Sequence, residues 1–155
     1  MDKPHLRDTE RVMGERTAQW VVQSFTRSIS LVHVALGVAI LTGGARRFGG
    51  LSYQYALDTP GAPWSWGLIA LAAGIGCILA TYMDSPRGIA ASMFVMGFWA
   101  LFFAITFARA WAHFEEANST AMVAYAGYAL LCCILAGAHL ATHPISLPRP
   151  WRRRP

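Results

Sequence analysis

Four long apolar stretches, separated by short polar segments, occupy most of the chain. They cover residues 20–42, 64–83, 89–108 and 121–142. A helix rises about 1.5 Å per residue, so roughly 20 apolar residues cross the hydrocarbon layer of a bilayer. The pattern predicts an all-α integral membrane protein in which 1–155 is a single membrane domain. The short connections predict an antiparallel four-helix transmembrane bundle.

The basic residues are unevenly divided between the two sides of this arrangement. Ten lie on the side of both termini and three on the other. Cationic loops resist translocation, so we expect both termini to be cytoplasmic, with a cytoplasmic segment at 1–19 and a basic cytoplasmic tail at 144–155. The ten are Lys3, Arg7, Arg11, Arg16, Arg27, Arg87, Arg149, Arg152, Arg153 and Arg154; the three are Arg46, Arg47 and Arg109.

Carboxylates are absent from the interiors of the predicted spans. All eight lie outside the spans or at their edges. Proton relays and ion-coupled pumps place ionisable groups inside the membrane, and hydrolases need acid and base side chains in one site. We therefore expect a protein that is not an enzyme.

Small residues recur at helical spacing on each predicted span and mark packing or oligomer faces. Lipid supplies no hydrophobic force between helices, so close approach at small residues holds them together. The faces include Gly37, Gly67, Gly74, Gly97 and Ala136. The pattern leaves open whether they pair within one chain or between subunits; packing within one chain is favoured for most of them, and we also expect a homo-oligomer.

Three histidines are the candidates for a metal site. His139 and His143 lie four apart on one helical face, the geometry that presents two imidazoles to one metal, and His33 lies near the middle of the first span. In the alternative, His143 caps a helix end, His139 bonds to a neighbouring backbone group or hydroxyl, and His33 is a satisfied buried polar group. We favour this structural interpretation and expect no metal and no cofactor.

The C-terminal tail combines cations with an interfacial aromatic residue. We expect it to lie against anionic lipid rather than nucleic acid, because a basic cytoplasmic flank follows from topology alone. The lipid-contacting residues are Arg149, Trp151, Arg152, Arg153 and Arg154. On the opposite side, the loop from Gly43 to Pro63 is expected to rest on the outer leaflet, with Trp64 and Trp66 anchoring the second span at the interface.

The overall pattern resembles the small four-span proteins encoded around the lysis genes of actinobacteriophages. The resemblance lies in the charged N-terminal segment, the outer loop with Arg46, Arg47 and Phe48 leading into Pro63 and Trp64, and the arginine-rich tail. It implies a holin-like protein that oligomerises in the cytoplasmic membrane of the bacterial host to permit lysis. Other phage lysis proteins are then possible partners.

Two alternatives remain open. The chain is also similar to the DoxX-like group of small bacterial membrane proteins, through the glycine-bearing first helix and the glycine-rich outer loop. It departs from that group in lacking an acidic residue in the second span, which weakens a redox-associated role. The third interpretation is a phage exclusion or immunity protein that blocks later infection from the membrane.

The charge distribution predicts the outcome of C-terminal reporter fusions. Because ten cations lie on the side of the termini, a fluorescent protein fused to Pro155 should fold and fluoresce, and alkaline phosphatase fused there should be inactive. High phosphatase activity from that fusion would overturn either the orientation or the even number of spans.

Overall fold

The computed structural model describes residues 4–44, 48, 50–114 and 119–142. This part of the chain is helical and contains no strand. The predicted fold class is confirmed, because four long apolar helices pack together in it. In chain order the helices are α1 (Pro4–Gly43), α2 (Gln54–Leu57, preceded by a 3₁₀ turn at Leu51–Tyr53), α3 (Trp64–Tyr82), α4 (Pro86–His113) and α5 (Ser119–Thr142).

Four helical segments are long and apolar enough to cross a membrane, so the protein is a multi-pass membrane protein. They are Arg16–Gly43, Trp64–Tyr82, Pro86–His113 and Ser119–Ala141. α1 begins well before the first predicted span, since Pro4 suits the first turn of a helix and no other proline follows before Gly43. Part of the predicted cytoplasmic segment is therefore a helical extension of the first span.

The helices pack in chain order. α1 contacts α3, α3 contacts α4, and α4 contacts α5, whereas α1 and α5 touch at few points. A tight turn at 83–85 reverses the chain between α3 and α4, with Asp84 in the left-handed region at φ 49°. Ser85 caps α4 by accepting a hydrogen bond from the Gly88 amide at 3.3 Å. The neighbours are therefore antiparallel, and the backbones of α1 and α5 approach each other at fewer points than those of the other neighbouring helices.

Glycines allow α1 and α3 to approach closely. A Cβ atom at Gly37 would lie 2.7 Å from Leu71 Cβ, and one at Gly67 would lie 2.8 Å from Leu41. A Cβ at Gly74 would lie 2.8 Å from Val34. Real Cβ contacts are longer than this, so only glycine fits at these positions.

The predicted small faces of α4 and α5 also meet within the chain. A Cβ at Gly97 would lie 3.3 Å from the Ala129 carbonyl oxygen and 3.3 Å from Cys132 Cβ. Ala136 is fully buried in the same part of the core, beside Met93. The structure thus places all five predicted packing residues in contacts between helices of one chain.

The described part of the loop between α1 and α3 folds over the end of the bundle. The Tyr53 ring lies 5.0 Å from the Phe107 ring, and the Phe48 ring lies 5.7 Å from the Trp66 ring. Trp66 is only 3% exposed, and its Nε1 donates to Thr59 Oγ1 at 3.1 Å. The prediction that Trp66 anchors the membrane interface is wrong, because the loop covers this indole; Trp64 is exposed.

The α1–α3 contact predicts that a substitution by leucine lowers the free energy of unfolding more at an inward position than at an outward one. Gly74→Leu should lower the free energy of unfolding by at least about 2 kcal/mol, because the new side chain collides with Val34 and the α1 backbone. Ala72→Leu is the control, since Ala72 is exposed on the same helix, and it should change stability by less than about 0.5 kcal/mol. Unfolding in mixed micelles, followed by circular dichroism, measures both. Equal losses would contradict the assigned faces.

Candidate functional site: the polar seam and the outer face of α5

One face of α1 carries a row of buried polar residues. Thr26, Ser30 and His33 are spaced by four and three residues, so they share one side of the helix, and each is at most 1% exposed. Tyr128 and His139 of α5 lie opposite them. We call these five residues the polar seam.

The seam is joined at one level by Thr26 and His139. Thr26 Oγ1 and His139 Nε2 are 2.9 Å apart, a hydrogen bond whose donor depends on the imidazole tautomer. Ser30 Oγ donates to the Thr26 carbonyl oxygen at 2.7 Å. The buried hydroxyls and imidazole thus have partners inside the protein, as groups removed from water require.

The second level of the seam joins His33 and Tyr128. Tyr128 Oη lies 2.8 Å from His33 Nδ1 and 3.5 Å from the Ile29 carbonyl oxygen. The imidazole stacks on the Tyr128 ring and meets the Trp99 ring edge-on, with centroid distances of 5.4 Å to each. His33 Nε2 has no hydrogen-bond partner among the residues that the structure describes. His33 is therefore a polar group held mainly by aromatic contacts.

The structure does not bring His33 and His139 together. Thr26 and His33 are seven residues apart on α1, about 10 Å along the helix axis, so His139 beside Thr26 is remote from His33. Over residues 4–44, 48, 50–114 and 119–142, no three histidine, cysteine or acidic side chains are placed to hold a metal ion. His143 lies outside the described residues, as do Arg149, Trp151, Arg152, Arg153 and Arg154.

The outward side of α5 carries small residues that the sequence analysis did not single out. A Cβ at Gly127 or Gly137 would meet no atom within 4 Å. Exposed residues recur along α5 at alternating intervals of three and four, which places them on one face. This outer face of α5 consists of Thr120, Val123, Gly127, Leu130, Ile134, Gly137 and Ala141.

The outward sides of α3, α4 and α5 all carry large apolar side chains, but that of α5 also has two glycines with open space around them. On α3 and α4 the exposed apolar side chains include Leu68, Leu79, Phe94, Phe98 and Ile105. α5 also has the smallest buried share of the four candidate spans. Bulky apolar residues suit lipid, whereas outward glycines leave backbone accessible to a neighbouring helix.

A shallow apolar groove lies beside the outer face of α5. It runs between α4 and α5, has a volume of about 630 Å³, and includes Phe94, Phe98, Leu130 and Cys133 in its lining. Cys133 is exposed there, whereas Cys77 and Cys132 are buried. The groove and the outer face share Leu130, so they form one continuous apolar surface.

The fold and these two features define a multi-pass helical membrane protein with a polar seam inside and a small-residue face outside. The chain matches no protein-family model, no curated protein and no solved structure. The functional conclusion therefore depends on the residues and contacts themselves.

The polar seam predicts energetic coupling between α1 and α5. In a double-mutant cycle, Thr26→Val and His139→Leu should show a coupling free energy of about 1 kcal/mol, the size of hydrogen bonds between membrane helices. Thr42→Val with His139→Leu is the control pair, because Thr42 bonds only within α1, to the Val38 carbonyl oxygen. Unfolding in mixed micelles gives the four free energies. Coupling no larger than that of the control pair would contradict the seam.

Proposed function

We propose that the protein is a phage-encoded, holin-like membrane protein that oligomerises in the cytoplasmic membrane of a bacterial host and thereby permits lysis. The observation that carries the proposal is the outer face of α5, where two glycines face away from the rest of the chain. Its partners in this account are further copies of itself, anionic lipids at the basic tail, and other phage lysis proteins.

The packing of the single chain supports assembly through α5. Gly37, Gly67, Gly74, Gly97 and Ala136 contact neighbouring helices of the same chain, so they are not available to a second copy. Gly127 and Gly137 have open space around them. Helices in lipid associate through close contact at small residues, and these two glycines lie one on each side of Leu130 and Ile134. A second α5 can therefore pack there backbone to backbone.

The polar seam supplies a surface for an aqueous lesion. A pore through a bilayer needs side chains that face water, and the outward sides of α3 and α4 are apolar. Thr26 and His33 lie on one polar stripe of α1 and bond to His139 and Tyr128 of α5, whereas Ser30 faces Cys77 of α3. Because the backbones of α1 and α5 approach each other at few points, separation of these helices would expose Thr26 and His33.

The sequence of events follows from this arrangement. Copies accumulate as closed bundles and associate through the outer face of α5. Assembly then draws α5 away from α1, and the polar stripes of neighbouring copies line the lesion. Hydration of Thr26 and His33 offsets the loss of their hydrogen-bond partners on α5.

Induced expression in a bacterial host tests the proposal. The wild-type chain should collapse the membrane potential abruptly after a delay, followed by lysis when an endolysin is co-expressed. The Gly127→Leu, Gly137→Leu double variant should delay the collapse several-fold or abolish it, because bulk on the outer face of α5 blocks close approach.

Ala72→Leu is the matched control, because it adds a similar side chain to an exposed position on α3. It should leave the time of collapse unchanged, and all variants should accumulate to the same level in the membrane. Accumulation of the wild-type chain with the membrane potential intact would contradict the proposed lysis function. An equal delay in the Ala72→Leu variant would contradict the assignment of α5 as the assembly surface.

A further inference from the structure

A polar cavity lies at the end of the bundle where α1 passes the turn between α3 and α4. Its volume is about 710 Å³, and α1, the α3–α4 turn and α5 all contribute to it. It is separate from the α5 outer face and its groove. Its polar lining includes Gln23, Thr26, Arg27, Thr81, Asp84 and His139.

The cavity contains one cation and one anion that are not bonded to each other. Arg27 and Asp84 both line it, and neither forms an ion pair with any residue that the structure describes. Thr26 and His139 lie deeper and are 1% and 7% exposed. A molecule that enters the cavity therefore meets a guanidinium group and a carboxylate at the mouth and buried polar groups behind them.

The cavity lies level with the end of α3, where this candidate span would leave the hydrocarbon layer. α3, a candidate span, ends at Tyr82, and Asp84 follows in the turn. The antiparallel contacts of Val34 with Gly74 and of Leu41 with Gly67 continue toward this end and bring Arg27 level with Thr81. Val22 and Ile89 add apolar wall next to the charged groups. This is the position at which a phospholipid changes from headgroup to acyl chain.

We infer that the cavity binds the headgroup of a phospholipid that carries a primary ammonium, that is, phosphoethanolamine. Guanidinium groups bind phosphate through paired hydrogen bonds, which assigns the phosphate to Arg27. The carboxylate of Asp84 then accepts hydrogen bonds from the ammonium. A choline headgroup has a cation but no N–H to donate, and a glycerol headgroup has only neutral hydroxyls, so neither forms a charge-assisted N–H hydrogen bond with Asp84.

Lipid retention by the purified full-length chain tests the inference. Native mass spectrometry in detergent compares dioleoyl phosphatidylethanolamine, phosphatidylglycerol and phosphatidylcholine. The wild-type chain should bind the ethanolamine lipid about tenfold more tightly than the other two, since one charge-assisted hydrogen bond corresponds to about this factor. Soluble phosphoethanolamine should bind far more weakly, because it has no acyl chains for the apolar wall.

Variants separate the two charged contacts. Asp84→Asn should remove the preference for ethanolamine, and asparagine tolerates the positive φ of this position, so the turn should persist. Arg27→Gln should weaken the binding of all three lipids about tenfold. Arg87→Gln is the control, because Arg87 is an exposed arginine next to the same turn and does not line the cavity.

Three results would overturn the inference. They are equal retention of the three lipids by the wild-type chain, a loss of selectivity in Arg87→Gln equal to that in Asp84→Asn, and binding of free phosphoethanolamine as tight as that of the lipid. Circular dichroism of each variant establishes that the helices are retained. The test does not use lysis, so its outcome is independent of the holin-like function.

Discussion

The close approach of α1 to α3 at Gly37, Gly67 and Gly74 is the contact on which the rest of the structure depends. A bilayer gives apolar helices no hydrophobic reason to associate, so van der Waals contact between backbones takes that role. This contact also fixes the register of α1. With that register, Thr26 and His33 lie opposite α5, and Arg27 lies beside the α3–α4 turn.

The interfaces between neighbouring helices are held by different interactions. α1–α3 and α4–α5 approach closely through small residues, whereas the backbones of α1 and α5 approach at fewer points. α1 and α5 are joined by hydrogen-bonded pairs and by a core cluster that contains Ile29, Leu135 and Ala136. Hydrogen bonds between membrane helices contribute about 1 kcal/mol each. In the proposed function the α1–α5 side is the one that opens, because opening exposes polar side chains to an aqueous lesion.

Hydropathy and small-residue spacing predicted the helices and the inward faces, because each depends on local sequence alone. Gly74 and Ala136 are examples of residues whose inward position follows from this spacing. The partner of His139 was not predictable, since Thr26 lies 113 residues away and hydrogen-bonding residues carry no signal for a specific distant partner.

Two other features could not be predicted from the sequence, for a related reason. Trp66 at the start of a span has the pattern of an interfacial anchor, and only the folding of the outer loop over the bundle buries it. Gly127 and Gly137 are as small as the inward glycines, and their outward direction depends on how α5 is rotated against α4. The rotation of a helix about its own axis is set by tertiary packing, which periodicity alone does not specify.

The most direct test of the central claim is cross-linking through Cys133, which is exposed on the groove beside the outer face of α5, whereas Cys77 and Cys132 are buried. Membranes are sampled through an induction time course and treated with a short thiol-reactive bifunctional reagent, with Cys133→Ser as the control. The account predicts a cross-linked dimer that appears before the membrane potential falls and is absent from the control. The account would be contradicted if the chain stayed monomeric and Cys133 still reacted with a lipid-soluble maleimide throughout depolarisation.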